Sequence, residues 1–381
     1  MKVIFAPNAF KESLAAGRVA RAMAKGWLRA RPRDNAVEVP VADGGDGTAE
    51  AFAKASGGRL VRRQAAGPLG QPVRAAFAWD PVRQAAFIEM ASASGLRLVP
   101  PHERDPMRAS TRGTGQLALA ALRRGARQIV IGLGGSATVD GGAGFAQALG
   151  FRLLDRDGRP IAPGGQGLEQ LRHIEPPRRP PWDDSVRFIA ATDVDNPLLG
   201  ARGAAAVFGP QKGAGPDDVK RLEAGLARFA AVLKRDLGRD VARLPGAGAA
   251  GGFGAGLAGL LGAQTSSGIE IFLDSIGFDS MLAGAALVLT GEGRLDRQTA
   301  FGKAPMGVAR AAAKAGVRAI GLAGSLGEGY EILLKRGFAA VFSIAPGPIS
   351  LEEAMAQAPR LIERQAEAIA RVYDVAQSEP T

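Results

Sequence analysis

The chain has 381 residues, 46% of them hydrophobic and 22% charged, so we expect a globular protein with two or three domains. It contains no cysteine, which excludes disulfides, thiolate catalysis and cysteine-based zinc sites. The net charge of +11 would suit binding to nucleic acid, but the basic residues form no run and only 6% of residues are aromatic. We therefore expect no nucleic-acid binding, and a small anionic substrate instead.

The first sixty residues have the pattern of a βαβ unit. Residues 2–6 are an apolar strand, and residues 14–31 carry apolar side chains at helical spacing, with Ser13 predicted as the N-cap. Residues 36–41 are the next strand, and a helix is expected from near Ala49. This order predicts a parallel sheet. No signal-peptide pattern precedes the first strand, so we expect a cytoplasmic protein.

The pattern then changes to short strands. Residues 60–63, 73–79 and 85–89 are spaced like an antiparallel meander, with turn residues between them. A helix ending near Leu122 follows. Residues 244–263 lack charges, but they are mostly glycine and alanine, so we expect a buried helix and no membrane contact.

A glycine-rich loop lies near the middle of the chain. Residues 132–142 (GLGGSATVDGG) follow an apolar strand at 128–131 and precede a helix at 143–149. Glycine lets a phosphate approach the backbone, and the unpaired N–H groups of a helix N-terminus attract anions. The plain alternative is a tight turn between a strand and a helix.

The rest of the chain returns to alternating strands and helices. Further strands are predicted at 186–191, 269–273, 285–290, 317–322 and 339–344, and helices at 216–237 and 351–372. We predict an α/β fold in which residues 1–66 and 285–381 form one discontinuous domain. Residues 67–284 would form a second α/β domain inserted into it.

Two kinds of chemistry fit the glycine loop. Residues 132–137 match the dinucleotide pattern Gly-x-Gly-x-x-(Gly/Ala), with Asp155 or Asp157 at about the expected distance. A dehydrogenase, however, leaves the remaining acidic loops unexplained. Phosphoryl transfer requires cations, Mg²⁺ and a carboxylate that orients the acceptor hydroxyl. The candidate groups are Lys11, Lys212, Lys303, Asp43, Asp46, Asp140, Asp193, Asp195, Glu292 and Asp296.

Structural roles compete with catalytic ones at several of these positions. Asp140, after a strand, is expected to be a helix N-cap as readily as a functional group. An Asx-turn before Pro197 would explain Asp193 or Asp195, but hardly both. Glu292 and Asp296 are four residues apart, so a first helical turn would place them on one face as a metal pair. No Walker A sequence is present, which excludes a P-loop enzyme.

Taken together, these loops resemble the bacterial glycerate kinase family over nearly the whole chain. The resemblance lies in residues 4–14 (IFAPNAFKESL), 42–48 (ADGGDGT), 134–142 (GGSATVDGG), 192–200 (TDVDNPLLG), 208–213 (FGPQKG), 246–252 (GAGAAGG), 290–299 (TGEGRLDRQT) and 302–305 (GKAP). It implies a Rossmann-like and a flavodoxin-like domain with the active site in the cleft between them. It also implies ATP and Mg²⁺ as cofactors and D-glycerate as substrate, with 2-phosphoglycerate as product.

The resulting hypothesis gives each candidate residue a role. Catalysis is assigned to Asp193, Asp43 and Lys11, and substrate binding to Asn8, Ser13, Asp195, Asn196 and Lys212. ATP binding is assigned to Gly134, Gly135, Ser136, Ala137, Thr138, Gly291 and Lys303, and metal binding to Glu292 and Asp296. The alternatives are phosphorylation of the 3-hydroxyl or of another hydroxy acid, an NAD(P)-dependent dehydrogenase, and a non-catalytic sugar-acid-binding protein. The oligomeric state is left open, with a homodimer as one alternative.

Overall fold

The chain forms two compact units. The computed structural model describes residues 1–10, 12–42 and 47–377. Residues up to 43 and from 267 onward make a terminal unit, and residues 44–266 make an inserted unit. Within the described residues, none of the helices combines the length and apolar character needed to cross a bilayer.

Strands alternate with helices at both ends of the chain, as the sequence pattern predicts. The described strands are β1 (Lys2–Phe5), β2 (Asn35–Glu38), β3 (Arg59–Ala66), β4 (Pro72–Asp80), β5 (Ala85–Glu89), β6 (Gln128–Gly132), β7 (Arg152–Leu154), β8 (His173–Glu175), β9 (Arg187–Ala191), β10 (Gln264–Ser266), β11 (Ala285–Leu295), β12 (Arg318–Leu326) and β13 (Phe338–Ser343).

Most of the helices are shorter than four turns. They are α1 (Ala16–Ala30), α2 (Thr48–Ala55), α3 (Ala91–Ser94), α4 (Arg112–Leu122), α5 (Ala143–Ala148), α6 (Gly165–Leu168), α7 (Ala204–Phe208), α8 (Pro216–Leu237), α9 (Ala249–Leu261), α10 (Gly268–Ile276), α11 (Phe278–Leu282), α12 (Ala304–Lys314), α13 (Leu351–Ala356) and α14 (Ala358–Gln377).

The terminal unit is built on a five-stranded parallel sheet in the order β13-β12-β11-β1-β2. The predicted apolar stripe of α1 is buried, with Trp27 fully inaccessible to solvent. Helices α1 and α14 pack so closely that a Cβ built on Gly26 would lie 2.0 Å from the carbonyl oxygen of Glu363. The α/β class predicted from the sequence is confirmed.

The inserted unit is built on a six-stranded mixed sheet in the order β10-β9-β6-β5-β4-β3. Strands β10, β9, β6 and β5 are parallel, while β5, β4 and β3 form the predicted antiparallel meander. Strand β3 lies at the edge of this sheet and exposes Arg59, Arg62 and Arg63. The parallel strands end at one edge, where the glycine loop begins.

Three local predictions were wrong. Residues 269–273 are helical within α10, because a short apolar run suits a buried helix as well as a strand. Helix α1 has Ala15 as its N-cap, and the hydroxyl of Ser13 donates instead to the carbonyl of Met355, 3.1 Å away. The closing helix is divided into α13 and α14.

The buried helix predicted within residues 244–263 is confirmed as α9. It is interrupted at residues 250–252, where three residues have left-handed backbone angles.

The unit boundaries differ from the predicted domain boundaries at both ends of the inserted unit. Strand β3 pairs along its whole length with β4, so it belongs to the inserted sheet instead of the terminal unit. Helices α10 and α11 fall in the terminal unit, where Ile269 packs so tightly on α12 that a Cβ on Gly307 would clash with it. Pairing of β3 and packing of α10 are long-range contacts that a change of sequence pattern does not reveal.

Candidate active site

The carboxyl edge of the inserted sheet gathers several predicted site residues. Strand β6 pairs with β9, with Gly132 opposite Ala191, so the glycine loop leaves the sheet beside Thr192 and Asp193. The N–H of Leu133 donates to the carbonyl of Ala191 at 3.0 Å and holds the two exits together. In open α/β sheets this edge is where ligands bind.

The glycine loop has an exposed tip and a buried base. Gly134 and Gly135 are exposed, whereas Ser136, Ala137 and Thr138 are buried. Among the described residues, no protein acceptor receives the N–H groups of Gly134, Gly135 or Ser136. Gly135 has a φ of +68°, a conformation that glycine adopts at little cost. The tip therefore offers backbone donors to an anion, while the base is part of the core.

Asp140 organises the base of this loop. Its buried carboxylate accepts hydrogen bonds from Thr111 N (2.8 Å), Thr111 Oγ1 (2.9 Å), Gly142 N (3.1 Å) and Gly144 N (3.2 Å). Burial raises the pKa of the carboxyl above its usual value, and the hydrogen bonds from Thr111, Gly144 and Gly142 oppose this shift in part. Because all four contacts are donors, the geometry suits the ionised form.

This arrangement corrects the prediction of an anion site at the start of α5. The N–H groups of Gly142 and Gly144, which would receive a phosphate there, are directed at the chain's own carboxylate, and α5 is only six residues long. Asp140 is not the N-cap residue of α5, which is Gly142, but it accepts N–H groups of the helix start from two residues earlier, so its role in the described structure is structural. Any phosphate contact in this loop falls to its exposed tip instead.

Lys212 binds the buried base of the glycine loop. It ends a short 3₁₀ helix, Pro210–Lys212, and is 2% exposed, which makes it the one buried lysine or arginine among the described residues. Its Nζ donates to Ser136 Oγ and to the carbonyl oxygen of Thr138, both at 2.8 Å. Burial lowers the pKa of the ammonium group to about 7, and attraction to Asp140 offsets part of that effect.

The break in α9 supports the same loop from another side. Ala250, Gly251 and Gly252 all have positive φ, and the carbonyl of Gly251 accepts the N–H of Gly141 at 3.1 Å. A Cβ on Gly251 would lie 2.0 Å from the carbonyl oxygen of Thr138. These glycine-rich residues, which were predicted as part of a buried helix, therefore pack closely against the backbone of the loop and support it.

The acidic residues after β9 have two different roles: one is an exposed candidate for catalysis, and the others stabilise a turn. The side chain of Asp193 is exposed at the sheet edge. Asp195 is 80% exposed and lies 3.4 Å from Arg202, while Asn196 Nδ2 donates to the Arg202 carbonyl at 2.8 Å. Asp195 and Asn196 thus close their own loop, and Asp193 is the carboxylate that this loop presents.

Two residues that the sequence reasoning missed lie at the same edge. Glu89 ends β5 opposite Gly132 and is buried, with its Oε1 accepting the N–H of Ala49 at 2.7 Å. Thr111 links the loop to the start of α5, because its hydroxyl donates to Asp140 and accepts from Phe145 N. A carboxylate ending an apolar strand was a usable signal for Glu89, whereas Thr111 had none.

The terminal unit brings together a second group at the ends of β1 and β11. Asn8 is buried, and its N–H donates to the carbonyl of Gly291 at 2.8 Å. A Cβ on Gly291 would lie 1.8 Å from the Leu322 carbonyl oxygen, so close strand packing accounts for this glycine. The predicted catalytic residues Lys11 and Asp43 fall outside the described residues.

Glu292 and Lys303 form the charged centre of this group. Glu292 is 6% exposed and accepts a hydrogen bond from Thr299 Oγ1 at 3.2 Å. Lys303 Nζ lies 3.6 Å from Glu292 Oε1, and its side chain remains 35% exposed. Because the lysine reaches solvent and its partner is buried, the ammonium group is accessible to an anionic ligand.

Asp296 has a different environment from Glu292. Glu292 lies inside the long strand β11, and Asp296 caps the short helix Arg297–Phe301 by accepting the N–H of Gln298 at 2.9 Å. Its other oxygen lies 3.2 Å from Arg294 Nε. A helical turn does not join the two carboxylates, which an extended chain separates by about 13 Å along the strand. The prediction that a helical turn pairs them was wrong.

The surroundings of Lys303 are concave and mainly cationic. A cavity of about 640 Å³ lies within the terminal unit and is lined by Arg294, Asp296, Arg297, Gln298, Lys303 and Glu328. No group of three or more histidine or acidic side chains among the described residues is arranged to hold a metal ion by itself. A metal ion here would need ligands beyond these described side chains, and Mg²⁺ commonly takes them from nucleotide phosphates.

Comparison with known proteins identifies the class to which these loops belong. Residues 3–374 match the glycerate kinase family. The chain is 47% identical over 370 residues to a glycerate kinase of Halalkalibacterium halodurans, covering 97% of each chain, and 46% identical over 354 residues to the glycerate 2-kinase of Escherichia coli K12, covering 93% of each. A crystal structure described as glycerate kinase 2 of Salmonella typhimurium LT2 superposes with a TM-score of 0.88 at 45% identity, over 99% of both chains.

The chain belongs to the glycerate kinase family. The resemblance inferred from the loops is therefore confirmed, and the chain is an enzyme of the kinase class. A dehydrogenase built on the Gly-x-Gly pattern has no support from these comparisons.

Proposed function

We propose that the protein transfers the γ-phosphoryl group of ATP to the 2-hydroxyl of D-glycerate, giving 2-phosphoglycerate and ADP. Family membership and the 46% identity to a protein named glycerate 2-kinase support this reaction. The observation that carries the proposal is the exposed carboxylate of Asp193 beside the N–H groups of Gly134 and Gly135, which have no acceptor among the described residues. That pair joins an acceptor-orienting group to an anion-binding backbone, which phosphoryl transfer requires.

Asp193 is the residue to which we assign orientation and deprotonation of the glycerate hydroxyl. Its exposed position after β9 leaves it accessible to an incoming substrate. The carboxylate would accept the hydroxyl proton as the oxygen attacks phosphorus, and the proton would later return to solvent. Asp43 is the second candidate for this role, and Lys11 would stabilise the charge of the moving phosphoryl group.

The ATP phosphates would be held by the N–H groups at the tip of the 134–138 loop and by the ammonium of Lys303. Each group by itself suits a phosphate, because the loop tip of the inserted unit has donors without acceptors among the described residues, and Lys303 of the terminal unit opens into a mainly cationic cavity. Mg²⁺ bound to ATP would neutralise charge on the transferred group. We assign that ion to Glu292, whose carboxylate lies 3.6 Å from the Lys303 ammonium, in preference to Asp296, because both Asp296 oxygens already have protein partners.

Glycerate would be bound by polar groups at the strand ends. Asn8, Ser13, Asp195 and Asn196 keep this assignment as a proposal, although Ser13 and Asn196 each donate a hydrogen bond to a protein carbonyl. A ligand would therefore have to share or replace these bonds. We also propose a cytoplasmic location, because ATP is available there. Assembly as a homodimer remains a separate proposal, which sedimentation equilibrium would test.

The first experiment measures ADP release with Mg-ATP and D-glycerate and identifies the product by phosphorus NMR. We expect ADP formation that depends on D-glycerate, and a phosphorus resonance coupled to the proton at carbon 2. Coupling to the protons at carbon 3 would show that the other hydroxyl is the acceptor. No ADP with D-glycerate or related hydroxy acids, together with NAD(P) binding, would refute the kinase assignment.

A single substitution tests the role of Asp193. Asp193→Asn should lower kcat by roughly 10²- to 10⁴-fold and leave ATP affinity nearly unchanged, since the carboxylate acts on the acceptor. Asp184→Asn is the matched control, because Asp184 is exposed near the opposite end of β9. Near-normal turnover of Asp193→Asn would remove this residue from the mechanism.

A further inference from the structure

Lys212 is a buried cation that the proposed reaction does not yet use. Its side chain is 2% exposed, so its ammonium group is unlike that of Lys303, which reaches solvent. Burying an ionisable group is costly unless hydrogen bonds and other charges compensate for lost hydration. The position of this amine therefore calls for a specific role.

The amine joins two points in the base of the glycine loop. Nζ lies 2.8 Å from both Ser136 Oγ and the carbonyl oxygen of Thr138, and it donates to both. Thr138 is itself fully buried, and its Oγ1 has no hydrogen-bond partner among the described residues. Lys212 thus links the Ser136 hydroxyl to the Thr138 carbonyl, while the Thr138 hydroxyl makes no link among the described residues.

Among the described residues, no carboxylate forms a direct ion pair with Lys212, although Asp140 attracts its positive charge from farther away. Asp140 is already saturated by four donors from the backbone and Thr111. Two further charged groups of the described chain lie on a neighbouring segment: Arg104 donates to the Gln211 carbonyl at 3.4 Å, and Asp105 accepts the N–H of Met107 in its own turn.

We propose that Lys212 is a positioning residue for the nucleotide: it fixes the base of the glycine loop and places a positive charge behind the loop tip that receives the ATP phosphates. This inference rests on the proposed function, since ATP is its ligand. It also reassigns Lys212 from direct contact with glycerate, because both described hydrogen bonds of the buried amine go to the loop.

Geometry and charge have separable effects here. A neutral amine keeps two N–H donors, so it can still hold Ser136 and Thr138 after losing its proton. What deprotonation removes is the charge behind the tip. Because burial lowers the pKa of Lys212 to about 7, that loss falls within an accessible pH range. ATP should accordingly bind less tightly as pH rises above neutrality, with the loop still in place.

The test measures binding of ATP at saturating Mg²⁺ by calorimetry, without glycerate, between pH 6 and pH 9. Saturating Mg²⁺ keeps the nucleotide phosphates ionised over this range, so a change in Kd reports on the protein. We expect the wild-type Kd to rise about tenfold across it, which corresponds to about 1.4 kcal/mol. Lys212→Gln, which lacks the charge, should bind ATP about tenfold more weakly at pH 6 and show no such rise.

Two further variants separate the possible causes. Ser136→Ala removes one hydrogen bond but keeps the ammonium, so its binding should weaken while the pH dependence persists. Lys220→Gln is the matched control, because Lys220 is exposed on α8 and paired with Asp217 at 2.9 Å. Its Kd and pH dependence should equal those of the wild type.

Three results would overturn the proposal. One is a Lys212→Gln variant whose Kd and pH profile match the wild type, and another is a raised KM for glycerate with unchanged ATP binding. The third is a flat wild-type profile, which decides the matter even if Lys212→Gln does not fold. Failure of the proposed function is recognised separately, by the absence of glycerate-dependent ADP release from a wild-type protein that binds ATP.

Discussion

The glycine loop of the inserted unit and the charged segment at the end of β11 handle their charges in opposite ways. In the glycine loop, Asp140 and Lys212 are buried, and their described hydrogen bonds go to the protein itself. At the end of β11, Glu292 is buried but its partner Lys303 reaches solvent beside an open cavity. Both segments are rich in glycine and charged residues, so the sequence alone does not show which of the two keeps its charges for the protein's own hydrogen bonds.

The difference teaches which charges maintain shape and which are available for binding. A buried carboxylate with four protein donors has no capacity left for a ligand, so its removal should mainly affect folding. A lysine that is one-third exposed can exchange its protein partner for a phosphate, so its removal should mainly affect affinity. Substitutions on the two sides can break or sharpen this distinction.

The largest effect is expected at Asp140. Asp140→Ala leaves buried N–H groups of Thr111, Gly142 and Gly144 without an acceptor and should lower the free energy of unfolding by about 3–5 kcal/mol. Urea denaturation followed by circular dichroism measures this change. Asp217→Ala, at an exposed position on α8, is the control and should change stability by less than about 0.5 kcal/mol. A stable Asp140→Ala protein with weak ATP binding would show that Asp140 serves binding instead of folding, which contradicts the distinction drawn here.

Lys303 comes next, with an effect on binding instead of stability. Lys303→Met should raise KM for ATP by about 10- to 100-fold, or about 1.4–2.7 kcal/mol, because a cation facing the phosphates is lost. Thermal stability should remain close to that of the wild type. Lys314→Met provides the control, since this lysine is 82% exposed at the end of α12. An unchanged KM would place the phosphates elsewhere.

The pH dependence of stability gives a distinctive signal for Lys212. The folded pKa is about 7 and the ordinary value is 10.5, so between these values the unfolded chain binds the extra proton. Stability of the wild type should therefore rise with pH in this window relative to Lys212→Met, by up to about 1.4 kcal/mol per pH unit. Denaturation at pH 7, 8 and 9 measures it, and parallel curves for the two proteins would contradict the prediction.

Asp296 should give the smallest effect. Asp296→Ala removes the cap of the Arg297–Phe301 helix and should cost about 1 kcal/mol of stability. Because both its oxygens already have protein partners, the Mg²⁺ concentration for half-maximal activity should stay constant. Glu292→Gln is the comparison variant and should raise that concentration. A large shift with Asp296→Ala would restore it as a metal ligand.

The sequence predicted strands and helices well where the hydrophobic period was long. Helix α8 was predicted over its observed length, because several apolar residues recur along it at helical spacing. Residues 269–273 were too few to distinguish a strand from a buried helix. The left-handed angles at residues 250–252 were hidden because glycine and alanine composition also fits a regular helix.

Within the site, the sequence identified residues but not their partners. Asp140 and Asp193 both follow strands, and nothing local shows that one is enclosed by Thr111 while the other is exposed. Thr111 is 29 residues from Asp140, so only the fold brings them together. For Glu292 and Asp296, the four-residue spacing was correct but the assumed helix was not, since β11 continues to Leu295.

The exposed arginines of β3 have a consequence for self-association of the protein. An edge strand has unpaired N–H and C=O groups that can template the addition of a strand from another molecule. If two copies met along β3, Arg59, Arg62 and Arg63 of each would be brought close to those of the other, and the like charges would repel. This edge is therefore protected against fibril-like growth at high protein concentration, and concentrated salt, which screens the repulsion, should weaken that protection.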